Sequence, residues 1–186
     1  KNPFGKDGDF ITSPLISNLF AEMIAIWCVA FWENLGKPKK ILLVELGPGE
    51  GSLCKDLLNT FKNFPKFYES LNIKLLEKSN FLKKVQKNKI KNRKVKWINR
   101  ISELKDGPII FLANEFFDAL PIKQIIIQKR KFYERHVVFS NSKKKLNFIN
   151  KSANKKLIKN ILKYNLDSSK NIIEYPAELI KYIKLI

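Results

Sequence analysis

The stretch that most constrains this chain is "KKILLVELGPGEGSL", residues 39 to 53. Two lysines lead into an unbroken apolar run, the pattern of a strand covered on both faces inside a parallel sheet. The run ends in glycines at alternate positions, Gly47, Gly49 and Gly51, and "SLCKDLLNTF" then reads as a helix. Glycine permits positive φ and lets another group approach the backbone without a Cβ in the way. A strand, a glycine loop and a helix in that order put a small ligand at the carboxyl end of the strand.

The rest of the chain supplies the sheet. "NIKLLE", "KVKWIN" and "PIIFLAN" are further strand candidates, separated by helical or lysine-rich stretches such as "SNFLKKVQKN". This alternation predicts an α/β fold with a parallel sheet. Upstream, Ser13 and Pro14 offer an N-cap and a first-turn proline. A long amphipathic helix is expected to follow, with Ile16, Phe20, Met23, Ile24, Trp27 and Phe31 on its core face before Gly36. After Pro121, "KQIIIQ", "KFYERHVVFS" and "LNFIN" predict an antiparallel meander inserted after the fourth strand. "SANKKLIKNILKYNL" and "PAELIKYIKLI" predict two helices with a break around "DSSKN". The expected organisation is an N-terminal motif and helix over 1–36, an α/β core over 37–122, the β insertion over 123–150 and a helical segment over 151–186. The chain opens without Met and stops in mid-pattern, so it reads as a fragment, incomplete at its C-terminus.

A net charge of +19, from 36 basic and 17 acidic residues, raises the question of a nucleic-acid partner. Only Arg93, Arg100, Arg130 and Arg135 are arginines, whereas bidentate recognition of phosphates and bases favours Arg. The spread lysines, with many Asn and Ile, therefore read as a composition bias of solvated side chains rather than a nucleic-acid surface. Cys28 and Cys54 have neither zinc-site nor disulfide-framework spacing and read as buried thiols of a reducing compartment. No metal site is expected. His136, the only histidine, lies in a strand candidate without a nucleophile motif to pair with and reads as structural. No apolar run reaches the length of a membrane span, and the opening lacks a signal-peptide pattern.

The spacing of the loop selects among ligands. A dinucleotide fingerprint is GxGxxG, but this loop is GxGxG, with Ser52 where the third dinucleotide glycine belongs, and no Walker lysine follows. Acid-x-Gly-x-Gly-x-Gly, with Glu45, Gly47, Pro48, Gly49 and Gly51, resembles the cofactor loop of class I S-adenosyl-L-methionine methyltransferases. That cofactor carries a sulfonium and an ammonium, so a preceding acid is welcome. The alternative is a purely structural strand-to-helix turn. Glu77, 26 residues after Gly51 (77 − 51), ends the next strand candidate, where a carboxylate can accept both ribose hydroxyls of a nucleoside. After the third strand, Asn99 could reach an adenine and Trp97 pack near it, though Trp97 serves equally as core.

"NEFFDALP", residues 114 to 121, follows the fourth strand, where open α/β sheets place their chemistry. Asn114, Glu115, Phe116 and Phe117 are not the full pattern of an amino-group methyltransferase for nucleobases. Glu115 and Asp118 suggest a guanidinium instead, because two carboxylates can pair with and orient it. Either could also cap a following short helix.

Several stretches together resemble one family, the MidA-like S-adenosylmethionine-dependent methyltransferases, which include a mitochondrial complex I assembly methyltransferase. They are "GDFITSPLIS" (8–17), "ELGPGEGSL" (45–53), "LLEKS" (75–79), "NEFFDALPIKQ" (114–124) and "YER" (133–135), in the family's order. The resemblance implies a class I, Rossmann-like methyltransferase sheet, truncated here, with S-adenosyl-L-methionine as methyl donor. It also implies a protein substrate, in mitochondrial members an arginine of a complex I subunit. Glu45 and the three glycines match the cofactor loop, Glu77 the ribose acid, and Asn114, Glu115 and Asp118 the active-site strand end. Asp9, Thr12 and Ser13 match the amino-terminal motif, expected near the pocket mouth; capping and turn formation is the alternative for them. Glu50 stands where the family usually has Arg, Ser52 replaces Thr, and Ala21 replaces a Gly with Glu22 kept. The implied compartment is the cytoplasm for a bacterial source, which the Lys/Asn/Ile bias of AT-rich DNA suits, and the mitochondrial matrix for a eukaryotic one. A nucleic-acid methyltransferase and a non-catalytic assembly chaperone of the same fold are the rival readings.

Overall fold

The computed structural model describes residues 18–104, 107–164 and 171–186. The cap at Ser13 and Pro14, the Ile16 contact and most of the "DSSKN" break lie outside the described residues. The chain divides into two compact units, one through Asp118 and the other from Ala119 onward.

The first unit runs α1 (Asn18–Asn34), β1 (Ile41–Leu46), α2 (Ser52–Phe61), α3 (Pro65–Ser70), β2 (Leu71–Leu76), α4 (Asn80–Lys89), β3 (Val95–Ile98), a 3₁₀ turn (Ile101–Glu103) and β4 (Ile109–Leu112). The strands form a parallel sheet in the order β3-β2-β1-β4. The alternation of strand and helix in the sequence is thus realised as parallel pairing. β1 is central, and every residue of it except Leu42 is buried. That is why it reads as a continuous apolar run with no polar alternation. Parallel pairing brings the carboxyl ends of all four strands to one edge. Glu45 sits there in register with Leu75 of β2 and Leu112 of β4.

α2 turns Leu53, Cys54, Leu57, Leu58 and Phe61 inward, and the core continues through Phe67, Leu71, Ile73 and Ile110. The rings of Phe61 and Phe67 lie 4.9 Å apart, and Trp32 meets Phe67 edge-on at 5.6 Å. The Trp32 indole N–H donates to the Pro38 carbonyl at 2.9 Å, so this aromatic is buried without orphaning its donor.

α1 departs from the sequence expectation. Its buried stripe is Ala21, Ala25, Cys28, Val29 and Trp32. Of the residues expected in the core, Met23 (60% exposed), Trp27 (53%) and Phe31 (38%) face outward, and Phe20 and Ile24 are only partly buried. The physical reason is close approach. Alanines and a cysteine let the helix axis come nearer to its neighbours than bulky residues would, and the large side chains are left on the far side, where Trp27 and Phe31 stack at 5.5 Å. The expected consequence is that Ala25→Leu overpacks the stripe and costs about 1–3 kcal/mol. Trp27→Gln on the outer face is expected to stay within about 0.5 kcal/mol. Urea unfolding of the two variants reads the difference, and a larger loss for Trp27→Gln would reverse the assignment of faces.

The second unit runs β5 (Lys123–Gln128), β6 (Lys131–Ser140), β7 (Lys145–Ser152), α5 (Lys155–Lys163), β8 (Ile172–Tyr175) and α6 (Ala177–Ile183). Its sheet is antiparallel in the order β7-β6-β5-β8. α5, capped by the Asn154 side chain accepting from the Leu157 N–H at 2.8 Å, packs Leu157 and Ile161 against Ile125, Ile173 and Tyr175. β8 is the second departure: the tail predicted as two helices also holds a strand. Ile173 and Tyr175 are buried while Ile172 and Glu174 are exposed, a period of two. Pairing with β5 also covers what would otherwise be an open sheet edge.

Among the described residues, no helix is long and apolar enough to cross a membrane, and no group of three His, Cys, Asp or Glu side chains is placed to hold a metal ion.

Candidate functional site

The loop after β1 continues the sheet before it turns. The Gly47 N–H donates to the Leu76 carbonyl at 3.1 Å, and the Gly51 N–H closes back on the Pro48 carbonyl at 2.7 Å. Gly47, Gly49 and Gly51 all have positive φ, 63°, 53° and 79°, so each occupies the left-handed region that disfavours a side chain. A Cβ at Gly47 would lie 2.7 Å from Cδ2 of Phe116. One at Gly51 would lie 2.7 Å from Cδ1 of Ile90 and 3.2 Å from Cγ of Gln86. Among the described residues, a Cβ at Gly49 would meet nothing within 4 Å. The outer two glycines let the protein pack on the loop, while the middle one is met by none of the described residues, which leaves room there for a ligand. Pro48 is buried between them. The charge reversal at Glu50 is answered locally: Lys89 places Nζ 3.1 Å from its Oε2 and donates to Ser52 Oγ at 3.0 Å.

Glu45, one residue before the end of β1, is 4% exposed, and among the described residues its Oε2 has no hydrogen-bond partner. Burial pushes its carboxyl up to about 8 from the ordinary 4.5. Burial first, and the neighbouring Glu45 second, raise the Cys54 thiol well above its usual range. Cys28 and Cys54 are both free and buried. A buried acid with an orphan oxygen is costly. A cationic group brought beside it would favour the carboxylate form and supply the missing partner.

Glu77 follows β2 and is also buried. Its Oε1 accepts from the Ser79 N–H at 2.7 Å and its Oε2 from Nε2 of Gln86 at 3.2 Å. Asn99, at the end of β3, is exposed; its side-chain oxygen accepts from Lys83 and its N–H donates to Glu103 at 3.0 Å. Trp97 is half-buried against the core and donates its indole N–H to Gln86 Oε1 at 2.7 Å.

After β4 the chain makes a tight reversal. Glu115 is exposed and has φ 48°, an uncommon conformation for a residue with a side chain. Beyond it the Phe116 ring closes over Gly47, and Phe117 meets Phe116 edge-on at 5.3 Å. The ring contact ties the "NEFF" turn to the glycine loop. Asn114 is half-buried and Asp118 is exposed. Turns and bends, not a helix, connect this segment to β5, so neither Glu115 nor Asp118 acts as a helix cap.

The sheet therefore gathers Glu45, the three glycines, Glu77, Asn99 and Asn114 with Glu115 at the ends of its four strands. Asp9, Thr12 and Ser13 lie outside the described residues. Sequence reasoning missed Gln86, Lys89 and Phe116. The available signal for Gln86 was the one glutamine of a helix otherwise rich in lysine, next to Val85; Phe116 stood inside a motif read for its polar residues. Two open clefts, of about 820 and 670 Å³, lie in the second unit. Lysines and no acid line them, so they do not compete with the loop for a cationic ligand.

Comparison with known proteins agrees with this geometry. Residues 23–186 match a family described as "Putative S-adenosyl-L-methionine-dependent methyltransferase". The mitochondrial protein arginine methyltransferase NDUFAF7 of Xenopus laevis is 36% identical over 145 residues, covering 65% of this chain and 33% of that protein. The protein of the same name from Homo sapiens is 32% identical over 146 residues, covering 66% and 33%. The chain thus spans about a third of the length of these curated relatives. A crystal structure of a "likely methyl transferase" from Burkholderia thailandensis, bound to S-adenosyl-homocysteine, superimposes with a TM-score of 0.73. It is 20% identical and covers 99% of this chain and 48% of its own, a likeness of fold. By the match over residues 23–186, the chain belongs to the S-adenosyl-L-methionine-dependent methyltransferase family.

Proposed function

We propose that this chain carries the cofactor pocket and reaction centre of an S-adenosyl-L-methionine-dependent protein methyltransferase that acts on arginine. The observation that carries the reading is Glu45: a buried carboxyl whose Oε2 has no partner among the described residues, one residue before the end of β1 and ahead of a loop whose middle glycine none of the described residues meets. A sulfonium with an amino-acid ammonium fits that acid. Acids at Glu45 and Glu77 beside the loop favour a cationic, hydroxyl-bearing ligand over a polyanion.

S-adenosyl-L-methionine, when bound, supplies an electrophilic methyl group on sulfur. Glu45 provides negative charge for the cationic end, and the backbone around Gly49 admits it closely. Glu77 accepts hydrogen bonds from ribose hydroxyls on the lone pairs that Ser79 and Gln86 leave. Glu115 and Asp118 orient a guanidinium by charge-assisted hydrogen bonds. Bound there, the cofactor would supply the methyl group for transfer from its sulfur to a guanidinium nitrogen, the sulfur keeping the electron pair of the broken bond. One carboxylate or solvent takes the proton released from nitrogen. The chain's main contribution is alignment and exclusion of water.

The finer reading, carried by the family resemblance, is an arginine on a respiratory complex I subunit, methylated in support of assembly. It places the protein in the bacterial cytoplasm or the mitochondrial matrix, according to its source. The test is isothermal titration of S-adenosyl-L-methionine into the intact chain and into Gly49→Val. Binding to the wild type with a loss of at least about a hundredfold in the folded variant is expected, because a branched side chain fills the room left there. No binding to the folded wild type would overturn the reading.

A further inference from the structure

Gln86 is fully buried and is the one buried residue of α4. A neutral amide at such a position is costly unless its hydrogen-bonding groups are satisfied. Here they are, in a way that fixes its orientation. The Trp97 indole N–H can only donate, so the oxygen of the amide must be the atom 2.7 Å from it. The NH₂ group then faces two acceptors, the Gly49 carbonyl at 2.7 Å and Glu77 Oε2 at 3.2 Å. One side chain therefore holds the middle peptide of the glycine loop and the carboxylate at the end of the neighbouring strand. Filling a core position requires none of these three bonds; a methionine would occupy similar space.

We propose that Gln86 is a positioning residue that locks Glu77 to the glycine loop and thereby sets the preference of the site for a ligand with ribose hydroxyls. The inference rests on the reading of the loop as a nucleoside-cofactor pocket. Glu77 Oε1 is held by the Ser79 N–H and Oε2 by Gln86, so both oxygens have a fixed direction in which to meet a vicinal diol. Without Gln86 the carboxylate keeps only the Ser79 contact, and the Gly49 carbonyl loses its partner.

The experiment compares affinities of the intact chain for S-adenosylhomocysteine and for its analogue lacking both ribose hydroxyls. The wild type should prefer the hydroxylated ligand. In Gln86→Met that preference should collapse, with about a tenfold loss for S-adenosylhomocysteine and little change for the dideoxy analogue. Trp97→Phe keeps a ring in the core but frees the amide oxygen, so it should lose part of the preference. The double variant should lose no more than Gln86→Met alone, because both changes act through one amide. Trp97→Phe alone decides the matter should Gln86→Met fail to fold. Equal losses for both ligands, or a preference unchanged in the variants, would overturn the positioning role while leaving the nucleoside pocket in place. Absence of S-adenosylhomocysteine binding by the folded wild type would instead overturn the pocket reading, and the positioning role with it.

Discussion

Glu45→Gln is expected to stabilise the ligand-free protein at pH 8 and, in the same molecule, to weaken its hold on a sulfonium ligand by roughly a hundredfold. Both effects come from one buried carboxyl. Between 4.5, where it titrates in the unfolded chain, and about 8, where burial places it in the folded protein, the folded state keeps a proton that the unfolded state has lost. Stability therefore falls as pH rises across that window and levels off above it. Each pH unit is worth about 1.4 kcal/mol, so the total is on the order of a few kcal/mol. The amide does not titrate, and its profile should lack this component. Urea unfolding of both proteins from pH 5 to 8.5 measures the difference. Parallel profiles would show that Glu45 is not the buried titrating group. Ligand binding reverses the sign, because a cation beside the carboxyl favours its ionised form. Below pH 8 the wild type should release a proton on binding, visible as a dependence of the titration heat on the buffer, and the variant should not.

Glu45 was legible in the sequence because an acid stands out near the end of an otherwise apolar strand. A buried carboxylate one residue from the end of a central strand is costly there unless a partner meets it. Glu77 was legible on a different ground, as an acid placed directly after the next strand, where hydroxyl donors can meet it. The parallel sheet was legible because each strand is a compact apolar run bounded by polar segments. α1 was not. Its sequence, "NLFAEMIAIWCVAFWEN", is apolar on nearly every side, so periodicity selects no face, and the largest residues drew the assignment. The packing was decided by Ala21, Ala25 and Cys28, which are small enough for close approach. β8 was hidden for a different reason: four residues carry too short a pattern, and their strand conformation depends on β5, distant in sequence.

Within the site the same division holds. Residues whose candidacy follows from their own chemistry, acids and glycines, stood out in the sequence. Residues whose role follows from what they touch did not. Gln86 is polar on a lysine-rich helix and looks solvated until α4 is docked over the loop. Phe116 looks like one of two interchangeable phenylalanines until the left-handed turn at Glu115 carries its ring onto Gly47.

The three glycines should separate folding from binding when each is replaced by alanine. Every replacement puts a Cβ at positive φ, which costs roughly 1–2 kcal/mol. At Gly49 none of the described residues adds to that cost, because none lies within 4 Å of the methyl. At Gly47 it would press on the Phe116 ring and displace the turn that carries Asn114 and Glu115. At Gly51 it would press on Ile90, which can swing away, and on Gln86, which cannot without breaking its bonds to Trp97, Gly49 and Glu77. Gly47→Ala and Gly51→Ala are therefore expected to lose about 3 kcal/mol or more, and Gly49→Ala only the backbone strain. Ligand affinity should follow another pattern: Gly49→Ala should bind S-adenosylhomocysteine more weakly while remaining the most stable of the three. Denaturant unfolding and titration on the same preparations give both quantities. If Gly49→Ala proved the least stable variant, the space in front of it would be filled by protein, and the ligand would have to approach elsewhere.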